Sequence, residues 1–162
     1  MKKLFISLVV AFAFCTSSMA QVVYNEVRSK AIAAVNNPAT NPMLKKINQF
    51  KVDALDYMGI KMKETMPDST VNFLDRQAYA LNNFVSLYMQ TILDNRKQPA
   101  AYQVKLIKLF MDASYSNPLF NDPDKELVLS YFSDGNSLTR FSLDTDWRRA
   151  FVAAALEVKK IK

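Results

Sequence analysis

An all-α domain, a single bundle of about five to six helices, is what this sequence predicts, and three observations carry the prediction. Glycine occurs twice in 162 residues, at Gly59 and Gly135. The six prolines fall between segments of three-and-four apolar spacing, not inside them. No stretch alternates apolar with polar residues for the length of a strand, while helix formers and methionine are plentiful.

The first helix is expected over residues 22–36, with Tyr24, Val27, Ala31 and Ala34 inward and an end at Asn36-Asn37-Pro38. The second starts where Asn41 caps the free amides and Pro42 takes the first helical position, and runs to about Met66. Its inner face carries Leu44, Ile47, Phe50, Ala54, Leu55, Met58 and Met62, while Val52 and Ile60 lie off that face and suggest a second contact. The third, over 71–95, has the clearest pattern: Val71, Leu74, Ala78, Leu81, Val85, Tyr88 and Ile92 form one stripe, and Phe73, Ala80, Phe84 and Leu87 flank it. Two stripes predict a central helix with neighbours on both sides, because a two-stranded coiled coil would leave the second exposed.

A fourth helix is expected over 99–115 with Val104, Ile107, Phe110 and Met111 inward. A short fifth begins with an Asp122 cap and Pro123 and ends at Asp134-Gly135. The sixth runs from an Asp144 cap to the C-terminus, with Trp147, Ala150, Phe151, Ala154, Val158 and Ile161 inward and Lys159, Lys160 and Lys162 at the negative end of the helix dipole.

Residues 1–20 read as a signal peptide: Lys2 and Lys3, an apolar run over 4–14, then Ser18-Met19-Ala20 at the cleavage position. Cleavage after Ala20 leaves one helical domain over 21–162, and the expected location is secreted or periplasmic. Cys15 raises the alternative of a lipid-anchored protein, but Phe14 stands where that signal wants a small residue. The apolar run is short for a permanent span, and no later segment reaches about twenty uncharged apolar residues, so no transmembrane segment is expected in the mature chain. Without Lys2 and Lys3, 19 of the 21 basic residues remain against 15 acidic ones, a net charge of +4. The mature chain has no cysteine, so packing alone must hold it in an oxidising compartment.

Composition also removes chemistries. With no histidine there is no imidazole base, no Ser-His-Asp arrangement and no histidine metal ligand. With no mature cysteine there is no thiolate nucleophile or zinc-thiolate site. Two glycines build no phosphate-cradling loop, and no cofactor or metal is expected. The basic pairs Lys45-Lys46, Arg96-Lys97, Arg148-Arg149 and Lys159-Lys160 are scattered, whereas nucleic acid needs a contiguous basic track, so no nucleic-acid partner is expected.

Carboxylates are the remaining acid–base equipment near neutral pH. Asp122, Asp124 and Glu126, then Asp144 and Asp146, are the denser groups. A carboxylate pair can hydrolyse glycosides, yet acids at a helix start ordinarily cap amides. Calcium is a further option for the same oxygens, although D-x-D-x-D-G spacing is absent. The stretch 132–149 holds the one tryptophan, and tryptophan and arginine are enriched where partners bind. Trp147 also begins the inner stripe of its helix, and Arg149 can pair with Asp146. Trp147, Arg148, Asp144, Asp146, Asp122 and Asp124 are therefore the candidate binding residues, and no catalytic residue is assigned.

The phrases INQFKVDAL at 47–55, DRQAYA at 75–80, FNDPDK at 120–125 and FSLDTDW at 141–147 resemble those of uncharacterised secreted all-helical proteins of Bacteroides-type gut bacteria. The resemblance covers nearly the whole mature chain. It implies export and an all-helical fold, and it attaches no activity to any residue. The expected function is a non-enzymatic binding or interaction module meeting a protein or glycan partner. A carrier of a small apolar ligand within the bundle is the alternative. A carboxylate-dependent glycoside hydrolase or lyase comes third, with tyrosine and lysine as further acids or bases if buried.

Overall fold

A computed structural model describes residues 21–68, 72–122 and 139–161. Those residues form five α-helices and no strand: α1 Val22–Asn36, α2 Pro42–Thr65, α3 Asn72–Asp94, α4 Ala100–Tyr115 and α5 Trp147–Ile161. The all-α bundle expected from proline placement and apolar spacing is what the chain forms. The short helix expected after Asp122, and Asp124 with it, lie outside the described residues.

The termini follow local chemistry. Asn41 Oδ1 accepts the amide of Met43 at 2.8 Å, and Pro42 stands at the first helical position where its missing N–H costs nothing. Between α1 and α2, Asn37 turns the chain by accepting the Ala39 amide on its side chain and the Thr40 amide on its carbonyl. α5 begins later than expected. Its first residue is Trp147, and the carboxylate that caps it belongs to Asp146, which accepts the amides of Arg148 and Arg149. Asp144 does not cap this helix.

α3 is the central element and packs against each of the other four helices. Both of its stripes are used, with Leu74, Ala78, Leu81 and Val85 buried on one and Ala80 and Phe84 on the other. Phe84 is the hub of an aromatic cluster: its ring centroid lies 5.6 Å from Phe110 of α4, 5.3 Å from Phe141 and 5.3 Å from Trp147 of α5. Phe50 of α2 closes the cluster on Phe141 and Trp147. These contacts are mostly edge-to-face, the arrangement favoured by the ring quadrupole.

Three expected inner positions lie outward instead. Leu44 is exposed because the first turn of α2 projects past the bundle. Val104 is exposed because α4 turns Leu106, Phe110 and Ala113 inward, which seats Phe110 against Phe84 and Tyr88 and brings Ser114 to the segment before α5. Ile161 is exposed at the end of α5. On α2, Val52 is buried as its off-face position suggested, while Ile60 is exposed.

α1 docks on α2 through polar contacts. Arg28 holds Asp56 with two hydrogen bonds, of 2.6 and 3.1 Å, and the Tyr24 hydroxyl donates to the Leu55 carbonyl at 3.0 Å. That hydroxyl explains a glycine in mid-helix. A Cβ on Gly59 would come within 2.8 Å of Tyr24 Oη, so α2 accepts the roughly 1 kcal/mol cost of a helical glycine to let the tyrosine lie across it. Gly59→Ala is expected to destabilise the protein by about 1 kcal/mol in urea unfolding. In a Tyr24→Phe background, which removes the colliding oxygen, the same change should become stabilising by up to about 1 kcal/mol. A gain from Gly59→Ala in the wild type would show that the tyrosine does not lie there.

Candidate functional site

Residues 139–146 carry no helix, and 141–145 are nevertheless buried. Backbone and side-chain polar groups there must find partners inside the protein. Asp144 supplies three. Its Oδ1 accepts the amides of Leu119 at 3.0 Å and Phe120 at 2.8 Å, and its Oδ2 accepts the amide of Asp122 at 3.0 Å. Asn121 sits in the left-handed region at φ 53°, which asparagine tolerates, and the bend turns neighbouring amides toward one carboxylate. Around it, Thr145 Oγ1 meets Ser114 Oγ at 2.9 Å and donates to the Ser142 carbonyl at 2.6 Å. Ser114 Oγ in turn accepts the Ser142 amide at 2.9 Å.

Gln77, buried on α3, fixes the start of α5. Its Nε2 donates to Asp146 Oδ1 at 3.0 Å and its Oε1 accepts the Trp147 amide at 2.8 Å. Asp146 also pairs with exposed Arg149 at 3.4 Å, a contact that solvent screens. Trp147 is fully buried between Phe50 and Phe84, and its indole N–H has no hydrogen-bond partner among the described residues. It is a core residue and offers no face to a partner.

Asp122 reaches across to α2. Its Oδ2 accepts the Tyr57 hydroxyl at 2.8 Å and lies 3.0 Å from Lys61 Nζ. A tyrosine and a lysine, both half-buried beside a carboxylate, resemble acid–base equipment, but their protonation argues otherwise. Burial first, then the hydrogen bond to Asp122 and the negative charges of Asp144, Asp122 and Glu64, push the Tyr57 phenol far above its ordinary value. The hydrogen bond to Asp122 raises the Lys61 ammonium above its ordinary value against the opposing effect of desolvation, and the charges of Asp122 and Glu64 add smaller effects in the same upward direction. A general base needs a pKa near the working pH, and neither group has one. The arrangement is a latch that ties the 119–122 turn to α2. Among the described residues, no three Asp, Glu, His or Cys side chains gather as a metal site.

The sixth candidate, Arg148, lies elsewhere. α1 and α5 both rest against α3 without packing on one another, and the gap between them is an open groove of about 390 Å³. Ala80 and half-buried Phe151 form its floor, exposed Tyr79 and Val152 its walls, and Val23 of α1 one end. Arg76 and Arg148 stand at the rim with Asp75. Arg148 has no ion-pair partner among the described residues, and Arg76 Nε donates only to the carbonyl of Asn72 in its own helix. Asp75 Oδ1 accepts the Tyr24 amide at 2.9 Å, closing the first turn of α1. A larger groove of about 630 Å³ lies between α1 and α2, but its arginine, Arg28, is already held by Asp56.

Of the six sequence candidates, Asp122, Asp144, Asp146 and Trp147 come together as an internal scaffold, Arg148 faces the groove, and Asp124 lies outside the described residues. Sequence reading missed Tyr79, Arg76 and Gln77. A signal for the groove existed. Arg148, Val152 and Leu156 recur at four-residue spacing on the side of α5 away from its inner stripe, and apolar residues there have no role in the bundle.

Asp144→Ala leaves three amides of the 119–122 turn without their acceptor, and at about 1–3 kcal/mol each the loss should reach about 3 kcal/mol or more. Asp146→Ala removes a helix cap and should cost about 1–2 kcal/mol. Urea unfolding of both variants checks the order, and an equal loss would remove the special role of Asp144. Tyr57 has its pKa raised in the folded state, so its contribution is complete below about pH 10 and is lost as pH rises through the folded value. Stability measured from pH 8 to 12 should therefore fall less steeply above pH 10 in Tyr57→Phe than in the wild type.

No helix among the described residues is long and apolar enough to cross a membrane. Comparison of the chain with protein-family models, with curated proteins and with solved structures found no match.

Proposed function

We propose that this chain is an exported, non-enzymatic binding protein, and that the groove between α3 and α5 is the face it offers to its partner. The observation that carries the reading is the combination at that groove. Tyr79 and Val152 are 62% and 56% exposed beside an apolar floor of buried Ala80 and half-buried Phe151, and two guanidinium groups without carboxylate partners among the described residues stand over them. Exposed aromatic and aliphatic side chains rimmed by charge are what a binding surface needs. Export is supported by the leader-like residues 1–20.

A carboxylate-dependent enzyme is the weaker reading. Asp144 is bound to three backbone amides and Asp122 to Tyr57 and Lys61, both buried, where a hydrolytic pair must face a substrate across a cleft. A carrier with its ligand inside the bundle is also weaker, because Phe50, Phe84, Phe110, Phe141 and Trp147 interlock at the centre.

The test is retention of envelope components on immobilised residues 21–162, identified by mass spectrometry. Tyr79→Glu and Val152→Glu should each cut retention at least about tenfold. Val104→Glu, at an exposed apolar site on α4, should leave it unchanged. Retention that survives both groove variants, or that falls with Val104→Glu, places the face elsewhere.

A further inference from the structure

The geometry points to a small amphipathic anion as the occupant of the α3–α5 groove: one carboxylate or sulfate head on an apolar body. This rests on the groove being the binding face and names the chemistry it would select. Three features argue for it.

The first is charge. Arg76 and Arg148 contribute two guanidinium groups, and the one acid beside them among the described residues, Asp75, is engaged at Oδ1 by the Tyr24 amide. The rim is left with a net positive charge. A planar guanidinium binds a carboxylate or sulfate through paired N–H donors, and such bonds strengthen beside apolar walls that exclude water. The basic excess of the mature chain has the same sign.

The second is size. About 390 Å³ falls at the lower end of the roughly 300–1,000 Å³ of small-ligand pockets. A stable protein interface takes about 20–30 residues a side. Here the exposed apolar side chains are Tyr79, Val152 and, one turn further along α5, Leu156.

The third is the lining. Among the described residues, apart from Asp75 and the two arginines, only Asn83 and the Tyr79 hydroxyl bring polar side-chain atoms to the groove. A neutral sugar would lay several hydroxyls on a floor made by Ala80 and Phe151, and each hydroxyl left unpaired there is costly. An aliphatic chain or ring system loses nothing on that floor and places its one charge at the rim.

Octanoate, 1-octanol and a galacturonate trisaccharide distinguish the possibilities when titrated into ¹⁵N-labelled residues 21–162. Octanoate should shift amide signals of 76–83 and 148–152 and bind at least about tenfold more tightly than 1-octanol. The double variant Arg76→Ala, Arg148→Ala, changed at two exposed positions, should keep the wild-type helical signal and urea midpoint while abolishing the difference between the two ligands. Equal binding of octanoate and 1-octanol by the wild type would overturn the inference, as would octanoate shifts centred on the α1–α2 groove. Tighter binding of the trisaccharide would overturn it in favour of an acidic glycan. If octanoate fails while Tyr79→Glu still abolishes retention of an envelope component, the ligand class is wrong and the binding face stands.

Discussion

A non-helical segment buried in an all-helical protein needs its polar groups satisfied from within, and the Asp144 carboxylate is the interaction on which the rest is built. Three amides of the 119–122 turn converge on it. With the turn so placed, Asp122 reaches Tyr57 and Lys61 on α2. Next to Asp144, Thr145 and Ser142 bind Ser114 of α4, and the Asp146 amide bonds the Asn117 carbonyl at 2.7 Å. A chain anchored at this many points delivers Phe141 and Trp147 into the aromatic cluster in one register. Without the polar anchors, the rings would have no fixed approach to Phe84.

α3 supplies the other half of that geometry. Because it is apolar on two sides, four helices can lie around it, and each of the others touches fewer neighbours. Gln77 shows how polar and apolar order are joined. One side-chain amide holds both the cap and the first amide of α5, so the helix starts where Trp147 must enter the core. The groove follows from the same arrangement. α1 is drawn to α2 by Arg28 and Tyr24, and α5 is drawn to α4 through the segment before it. The two diverge, and the strip of α3 between them stays uncovered by the described residues.

Charge is divided accordingly. Interior carboxylates bind backbone amides, a phenol and an ammonium group, and their free energy goes into order. Among the described residues, Arg76 and Arg148 stand outside with no carboxylate to hold them, beside apolar side chains that no described helix covers. Composition reinforces this division, since with no histidine and with Cys15 as its one cysteine the chain has little imidazole or thiol equipment to place at a surface site.

Periodicity and proline placement were enough to determine four long helices to within about a residue or two, the central position of α3 from its two stripes, and the all-α class, because these depend on spacing along one element. The start of α5 differs from the expected one by two residues, its cap being Asp146 in place of Asp144. Asp144 and Asp146 are equally good caps on paper, and only the turn at 119–122, about 25 residues earlier in the chain, decides which of them is free to cap. The inner face of α4 was misplaced at Val104 for a related reason: the need of Ser114 to meet Thr145 is written in a different segment. The groove was legible only in fragments, as Arg148 and the surplus apolar residues Val152 and Leu156. Its other wall comes from Tyr79 and Arg76, some seventy residues away, and no pattern within one helix reveals what lies beside it. The sequence by itself determined which elements form and which chemistries are missing. Tertiary structure alone decided which charges are satisfied inside and which stand free at a surface, because that depends on contacts between distant segments.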